Sequence, residues 1–225
     1  MKAISRRRFF YNSMRMTGAA IGALTVGAGA IRPDLCDAAK IDFTEMNCIP
    51  KAENGKKVLI AYASRCGSTG EVAEHIGRVL CENGVAADVL LLENVDTIDP
   101  YDGVIVGSAI HSSKWLPEAY EFVEENRRPL SGMPVAYFLT CLTLYKPTEE
   151  NLGKARGYLD PLNRDIPQVK PMDIGLFGGV LDYTKLSWPV RLIMKQKMKR
   201  RAVPEGDYRN WASIGEWAKG LSARL

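Results

Sequence analysis

A series of short, wholly apolar segments separated by amphipathic stretches restricts the fold more than any other feature of this chain. Val58-Leu59-Ile60-Ala61-Tyr62-Ala63 has no polar face, so as a strand it must be covered on both sides. Val72, Ile76, Val79 and Leu80 then recur at helical spacing, with Glu71, Glu74 and Arg78 on other faces, and Asn83-Gly84 is a helix stop. The same signals predict strands over 87–92, 103–107, 135–140 and 174–180, and helices over 117–126, 149–162, 190–200 and 208–221. This alternation specifies an α/β fold, a doubly wound five-stranded parallel sheet with helices on both faces. Such a sheet binds ligands beyond the carboxyl ends of its strands, where the strand order reverses. The loops to inspect are those after Ala63, Gly107 and Thr140.

The first of these, Ser64-Arg65-Cys66-Gly67-Ser68-Thr69, runs from the first strand into the first helix. There, backbone N–H groups and the positive end of a helix converge on one point, which favours an anion. Gly67 permits close backbone approach, Ser64, Ser68 and Thr69 offer hydroxyls, and Arg65 offers a charge-assisted bond. The loop has neither the G-x-x-x-x-G-K-[ST] pattern of nucleoside triphosphate sites nor the G-x-G-x-x-G pattern of dinucleotide sites. A monophosphate ester held without metal is what remains. The same residues also admit a purely structural reading, because Ser68-Thr69-Gly70-Glu71 matches a capping box that only satisfies the helix end.

The loop resembles the T-x-T-G-x-T phosphate loop of flavodoxins, with Ser64 in place of the first Thr and Cys66 in place of the second. It is more similar to the T-R-D-G-Q-T type loop of the flavodoxin-like, menaquinone-dependent protoporphyrinogen dehydrogenases. The likeness extends over roughly 57–220, through Gly107-Ser108-Ala109-Ile110, Cys141-Leu142-Thr143-Leu144-Tyr145-Lys146-Pro147, Phe177-Gly178-Gly179-Val180-Leu181-Asp182-Tyr183 and Leu192-Ile193-Met194-Lys195. It implies a flavodoxin-like domain over 56–225, FMN as cofactor, a quinone or other redox partner, and an FMN-dependent oxidoreductase. The rival functions are an exported electron carrier or quinone reductase, and a flavin-free interaction module. In such a fold the ring lies between two further loops. Ser108, Ala109, Ile110 and His111 form one wall, and Thr140, Cys141, Leu142 and Thr143 the other. Trp115 either stacks on the ring or packs in the core, and His111 either places a proton near the reduced flavin or is a surface histidine. Cys66, at a helix start, is expected to have a lowered pKa if partly exposed. The flavin carries the redox chemistry, so no acid–base residue is expected.

The formal net charge of +4 is concentrated at the N-terminus. Lys2, Arg6, Arg7, Arg8 and Arg15 have no acid among them in the first thirty residues, and the remainder is close to −1. A nucleic-acid partner is therefore not expected. Ser5-Arg6-Arg7-Arg8-Phe9-Phe10, a Gly- and Ala-rich apolar stretch, and Ala28-Gly29-Ala30 resemble a twin-arginine export signal over 1–30, which implies a periplasmic or outer-face location. Residues 31–55 read as a linker or arm. The five cysteines form no C-x-x-C pair or Cys/His cluster, so no structural metal is expected; in an exported chain Cys36 and Cys48 are candidates to pair. The basic segment 188–201 reads either as a helix packed on the sheet with a solvated face or as a peripheral membrane contact.

Overall fold

The computed structural model describes residues 35–50 and 55–225, and the export-signal reading falls outside them. In chain order the elements are β1 (Met46–Cys48), β2 (Lys57–Ala63), α1 (Ser68–Glu82), β3 (Ala86–Leu91), β4 (Gly103–His111), β5 (Lys114–Trp115), α2 (Pro117–Glu125), α3 (Arg127–Leu130), β6 (Val135–Cys141), α4 (Glu149–Gly157), α5 (Asp160–Asp165), β7 (Asp173–Gly178), β8 (Val180–Leu181), α6 (Trp188–Arg200), β9 (Gly206–Asp207) and α7 (Trp211–Ser222).

The main sheet has the order β1-β3-β2-β4-β6-β7. Five of its strands, β3, β2, β4, β6 and the edge strand β7, are parallel, as the apolar runs predict, with Ile60 opposite both Val89 and Ile105. Alternate side chains of β2 enter two cores. Val58, Ile60 and Tyr62 pack against α1 and α7, while Leu59, Ala61 and Ala63 pack towards α2, α4 and α5. Each fully buried aliphatic or phenyl side chain contributes about 1.5–3 kcal/mol, so a seven-residue strand without an exposed face is stable only between two helical layers. The strand order reverses between β2 and β4, which opens the crevice at the ends of β2, β4 and β6.

Several expectations are corrected. The segment expected as a linker or arm supplies β1, which pairs antiparallel with β3 and covers an edge that would otherwise present open N–H and C=O groups. Asn47 of β1 bonds Asp88 of β3, which also accepts from Lys57 Nζ (2.8 Å) and the Tyr101 hydroxyl (2.8 Å). Burial opposes ionisation of Asp88, but these donors outweigh it and hold the carboxyl below its ordinary value. The predicted helix 149–162 divides into α4 and α5, with Pro161 in the first turn of α5, where its missing N–H is harmless. The last predicted strand ends at Gly178, where a Cβ would strike the main chain of Tyr208; after Gly179 the chain turns into the small β8–β9 ribbon and α6.

The cysteines pair differently from the expected Cys36–Cys48 bridge. Cys36 is joined to Cys66 and Cys48 to Cys81, with Cα–Cα separations of 5.7 and 6.2 Å. The edge strand carries Cys48 to the flank of α1, where Cys81 lies. Residues 35–40 run beside 184–187, with Asp37 N–H donating to Lys185 C=O (2.9 Å) and Ser187 N–H to Leu35 C=O (3.3 Å). That path brings Cys36 to the loop after β2. Cys141 is free and buried.

Candidate functional site

A cleft of about 790 Å³ opens at the carboxyl ends of β2, β4 and β6, within the size range of cofactor sites. Its floor is the loop from Ser64 to Thr69. Gly67 adopts a left-handed φ of +86°, and a Cβ there would lie 2.9 Å from the Asp42 carbonyl oxygen. This residue serves as the N-cap of α1 and offers no side chain to close the helix end. The capping-box reading therefore fails: Ser68 is already helical, and the Glu71 carboxylate is held by Arg209 (2.6 Å). Among the described residues, the N–H groups of Arg65, Cys66, Ser68 and Thr69 meet no protein acceptor. The Gly67 N–H is satisfied by Ser64 Oγ at 3.0 Å. Four unpaired donors at the head of a 15-residue helix are the arrangement an anionic group requires. This observation is independent of any relative, and it shows that the loop fits a phosphate.

The other predicted residues divide between cleft and support. Ser64, Arg65, Cys66, Ser68, Ala109, Ile110, His111, Thr140, Cys141, Leu142 and Thr143 line the cleft, whereas Gly67, Thr69 and Ser108 do not. Thr69 is fully buried and shares a 2.8 Å hydroxyl bond with Thr140, which ties the floor to β6. Ser108 Oγ accepts from Leu116 N–H at 3.0 Å and so pins the β4–β5 hairpin to the start of α2. Arg65 turns its guanidinium to Glu118 of α2 in a two-point pair of 2.7 and 3.0 Å, so its N–H rather than its charge is open at the floor. The first wall is a two-residue hairpin whose tip residues, Ser112 and Ser113, take φ values of +52° and +63°. Trp115 lies outside the cleft and packs edge-on to Tyr137 in the core, with ring centroids 5.3 Å apart.

Neither cysteine at the site is a reactive thiolate. Cys66 is bridged to Cys36, contrary to the expected low-pKa thiol, and burial raises the pKa of Cys141. Partial burial, then the cations of Arg65 and Lys197, hold the His111 imidazole below the usual histidine value.

Local sequence signals do not reveal the far side of the cleft. Arg209, Lys185, Lys197, Arg201, Met194 and Met198 come from the segment after β7, together with Leu35 from the N-terminal side. Arg209 bonds Glu71 and Asp207 and reaches the Ser68 carbonyl (3.3 Å), so it fixes the first turn of α1 from 141 residues away. The only sequence hint of this wall is the concentration of cations at 185–201.

A sequence profile of the flavodoxin domain matches residues 59–205. The chain belongs to the flavodoxin-domain family. The flavodoxin domain thus accounts for the strand order and for a ligand cleft at the reversal point. The chain is 27% identical over 176 residues to protoporphyrinogen IX dehydrogenase [quinone] of Escherichia coli K12, covering 74% of this chain and 94% of that protein. It is 26% identical over 181 residues to the protein of the same name from Leishmania major, covering 76% and 77%. Among solved structures, oxidised flavodoxin 2 of Bacillus cereus is similar with a TM-score of 0.47 and 19% identity, covering 75% of this flavodoxin-domain chain and 99% of that one.

Proposed function

We propose that this protein is an FMN-dependent oxidoreductase that acts on an apolar, acidic substrate of the protoporphyrinogen type and passes electrons to a quinone. The observation that carries the flavin reading is the set of four unpaired N–H groups at the head of α1, three of them on residues that line the cleft, Arg65, Cys66 and Ser68. In this reading the N–H groups of Arg65, Cys66, Ser68 and Thr69 and the Ser64 and Ser68 hydroxyls bind the phosphate. The loops 109–111 and 140–143 hold the ring between them. FMN supplies the electron-accepting chemistry when bound. The protein's own contribution is placement: the Thr69–Thr140 bond and the Cys36–Cys66 bridge fix the floor, and the apolar walls exclude water from the ring.

Two further observations support the substrate class. The names of the relatives point to it. The cleft also combines apolar walls of Leu142, Leu181, Met194 and Met198 with cations at Lys154, Lys197 and Arg201, as suits an apolar body with carboxylate ends. Export by a twin-arginine route is part of the proposal. It rests on the Ser5–Phe10 pattern and on two disulfides, which persist in oxidising compartments.

The test is titration of the apoprotein with FMN, followed by anaerobic incubation with protoporphyrinogen and a quinone. Quenching of flavin fluorescence at micromolar protein, and flavin-dependent appearance of porphyrin fluorescence, are expected. Flavin binding without porphyrin formation would favour an electron carrier or quinone reductase, and absence of flavin binding would favour the interaction module. Gly67→Ala should weaken FMN binding at least tenfold, because it combines a strained left-handed φ with a clash against Asp42.

A further inference from the structure

Helix α6 holds three of the five exposed large apolar side chains among the described residues: Trp188 is 72% exposed, Ile193 64% and Leu192 53%, whereas Ile49 and Trp211 lie singly elsewhere in the chain. Trp188 and Leu192, and Pro189 and Ile193, lie at i, i+4 spacing, so the four share one apolar side of the first turns of the helix and form its tip. The rest of the helix is cationic. Between Tyr183 and Pro204 there are seven Lys and Arg and no Asp or Glu. The bland reading, a helix packed on the sheet with a solvated face, does not account for this. Met198, with Met194 beside it, meets the apolar contacts of α6 by packing in a small cluster with Leu181 and Val203, apart from both sheet cores. The tip points away from that cluster.

We propose that α6 docks the protein on an anionic lipid bilayer. Trp188, Pro189, Leu192 and Ile193 enter the headgroup boundary, and Lys195, Lys199 and Arg200 extend along the surface to lipid phosphates. Two properties favour lipid over an acidic protein surface: Trp and long-stemmed cations suit the layered polarity of a headgroup region, and an unbroken positive field matches a diffuse negative surface. The inner side of the same helix gives Met194, Lys197 and Met198 to the cleft. A bilayer against the tip therefore lies about one helix diameter, ~10 Å, from the cleft mouth. An apolar redox partner would pass between lipid and cleft without crossing bulk water. Docking itself does not depend on the flavin reading, and flavin titration reports on that reading separately.

The experiment uses the full chain with vesicles of phosphatidylcholine alone or of equimolar phosphatidylcholine and phosphatidylglycerol. The emission of Trp188 is isolated as the difference between wild type and W188F. Expected results are sedimentation with the anionic vesicles only, quenching of the Trp188 component by brominated lipid, and release by salt. L192E/I193E should bind at least tenfold more weakly, and K199A and R200A about fivefold each. All these side chains are exposed, so each variant should keep the wild-type melting temperature. Unquenched Trp188 on bound protein would place another segment in the lipid and overturn the proposal. Equal binding by L192E/I193E, equal binding to neutral vesicles, or no binding at all, which would leave an acidic protein as the partner, would also overturn it.

Discussion

Removing the Cys48–Cys81 bridge tests whether the N-terminal segment is part of the folded domain. The bridge joins the edge strand β1 to α1 across a sequence separation of 33. In the chain-entropy account a loop of that length restricts the unfolded state by about 3.5 kcal/mol. The Cys36–Cys66 bridge encloses an overlapping loop of separation 30, so part of that restriction survives when only one bridge is removed. The expected loss for Cys48→Ala/Cys81→Ala is therefore about 2–3 kcal/mol. On the native side β1 keeps its pairing of Met46 with Val89 and the Asn47–Asp88 bond, so the fold should persist. For a domain of this size the melting temperature should fall by about 5–10 °C. The assay is equilibrium urea denaturation of both proteins at equal FMN concentration. The variant should show a lower midpoint and a steeper slope, because a less restricted unfolded chain exposes more surface. Thiol titration of the oxidised wild type in denaturant should count one thiol, Cys141. Five thiols, or identical midpoints for the two proteins, would refute the bridge and the role assigned to β1.

Two other predictions follow from the cleft. Thr69→Val leaves the buried Thr140 hydroxyl without its partner and should cost about 1–2 kcal/mol, with the Thr69→Val/Thr140→Val double variant costing less than the sum of the single changes in a denaturation cycle. His111 has a folded pKa below its unfolded value of about 6.5, so its contribution is intact above that pH and is lost as pH falls, while the unfolded chain takes up the proton first. Denaturation midpoints of His111→Gln should therefore decline less than wild type below pH 6.5, and parallel profiles would refute the assignment.

The layered sheet was legible because the physics that sets it is local. A strand with no polar face needs helices on both sides, and a helix with one apolar stripe needs a sheet, so Val58–Ala63 and Val72–Leu80 specify one architecture between them. The position of the loop proposed to hold a phosphate follows from the same logic, since the first strand-to-helix turn of such a sheet puts N–H groups at one point. Its chemistry was only half legible: the sequence allowed a capping box at Ser68–Glu71, and the structure removes it by giving Glu71 to Arg209.

The sequence by itself determined the alternation of the parallel strands with the main helices and the loops that meet at the cleft, although Ser108 supports the hairpin instead of lining it. Only the tertiary structure decided which cysteines meet, that Arg65 is spent on Glu118, that Trp115 belongs to the core, and that α6 and Leu35 complete the cleft. The reason is range. Periodicity and turn chemistry act over a few residues, whereas disulfide partners, ion pairs and cleft walls depend on how segments 30 to 141 residues apart are brought together by two shared cores.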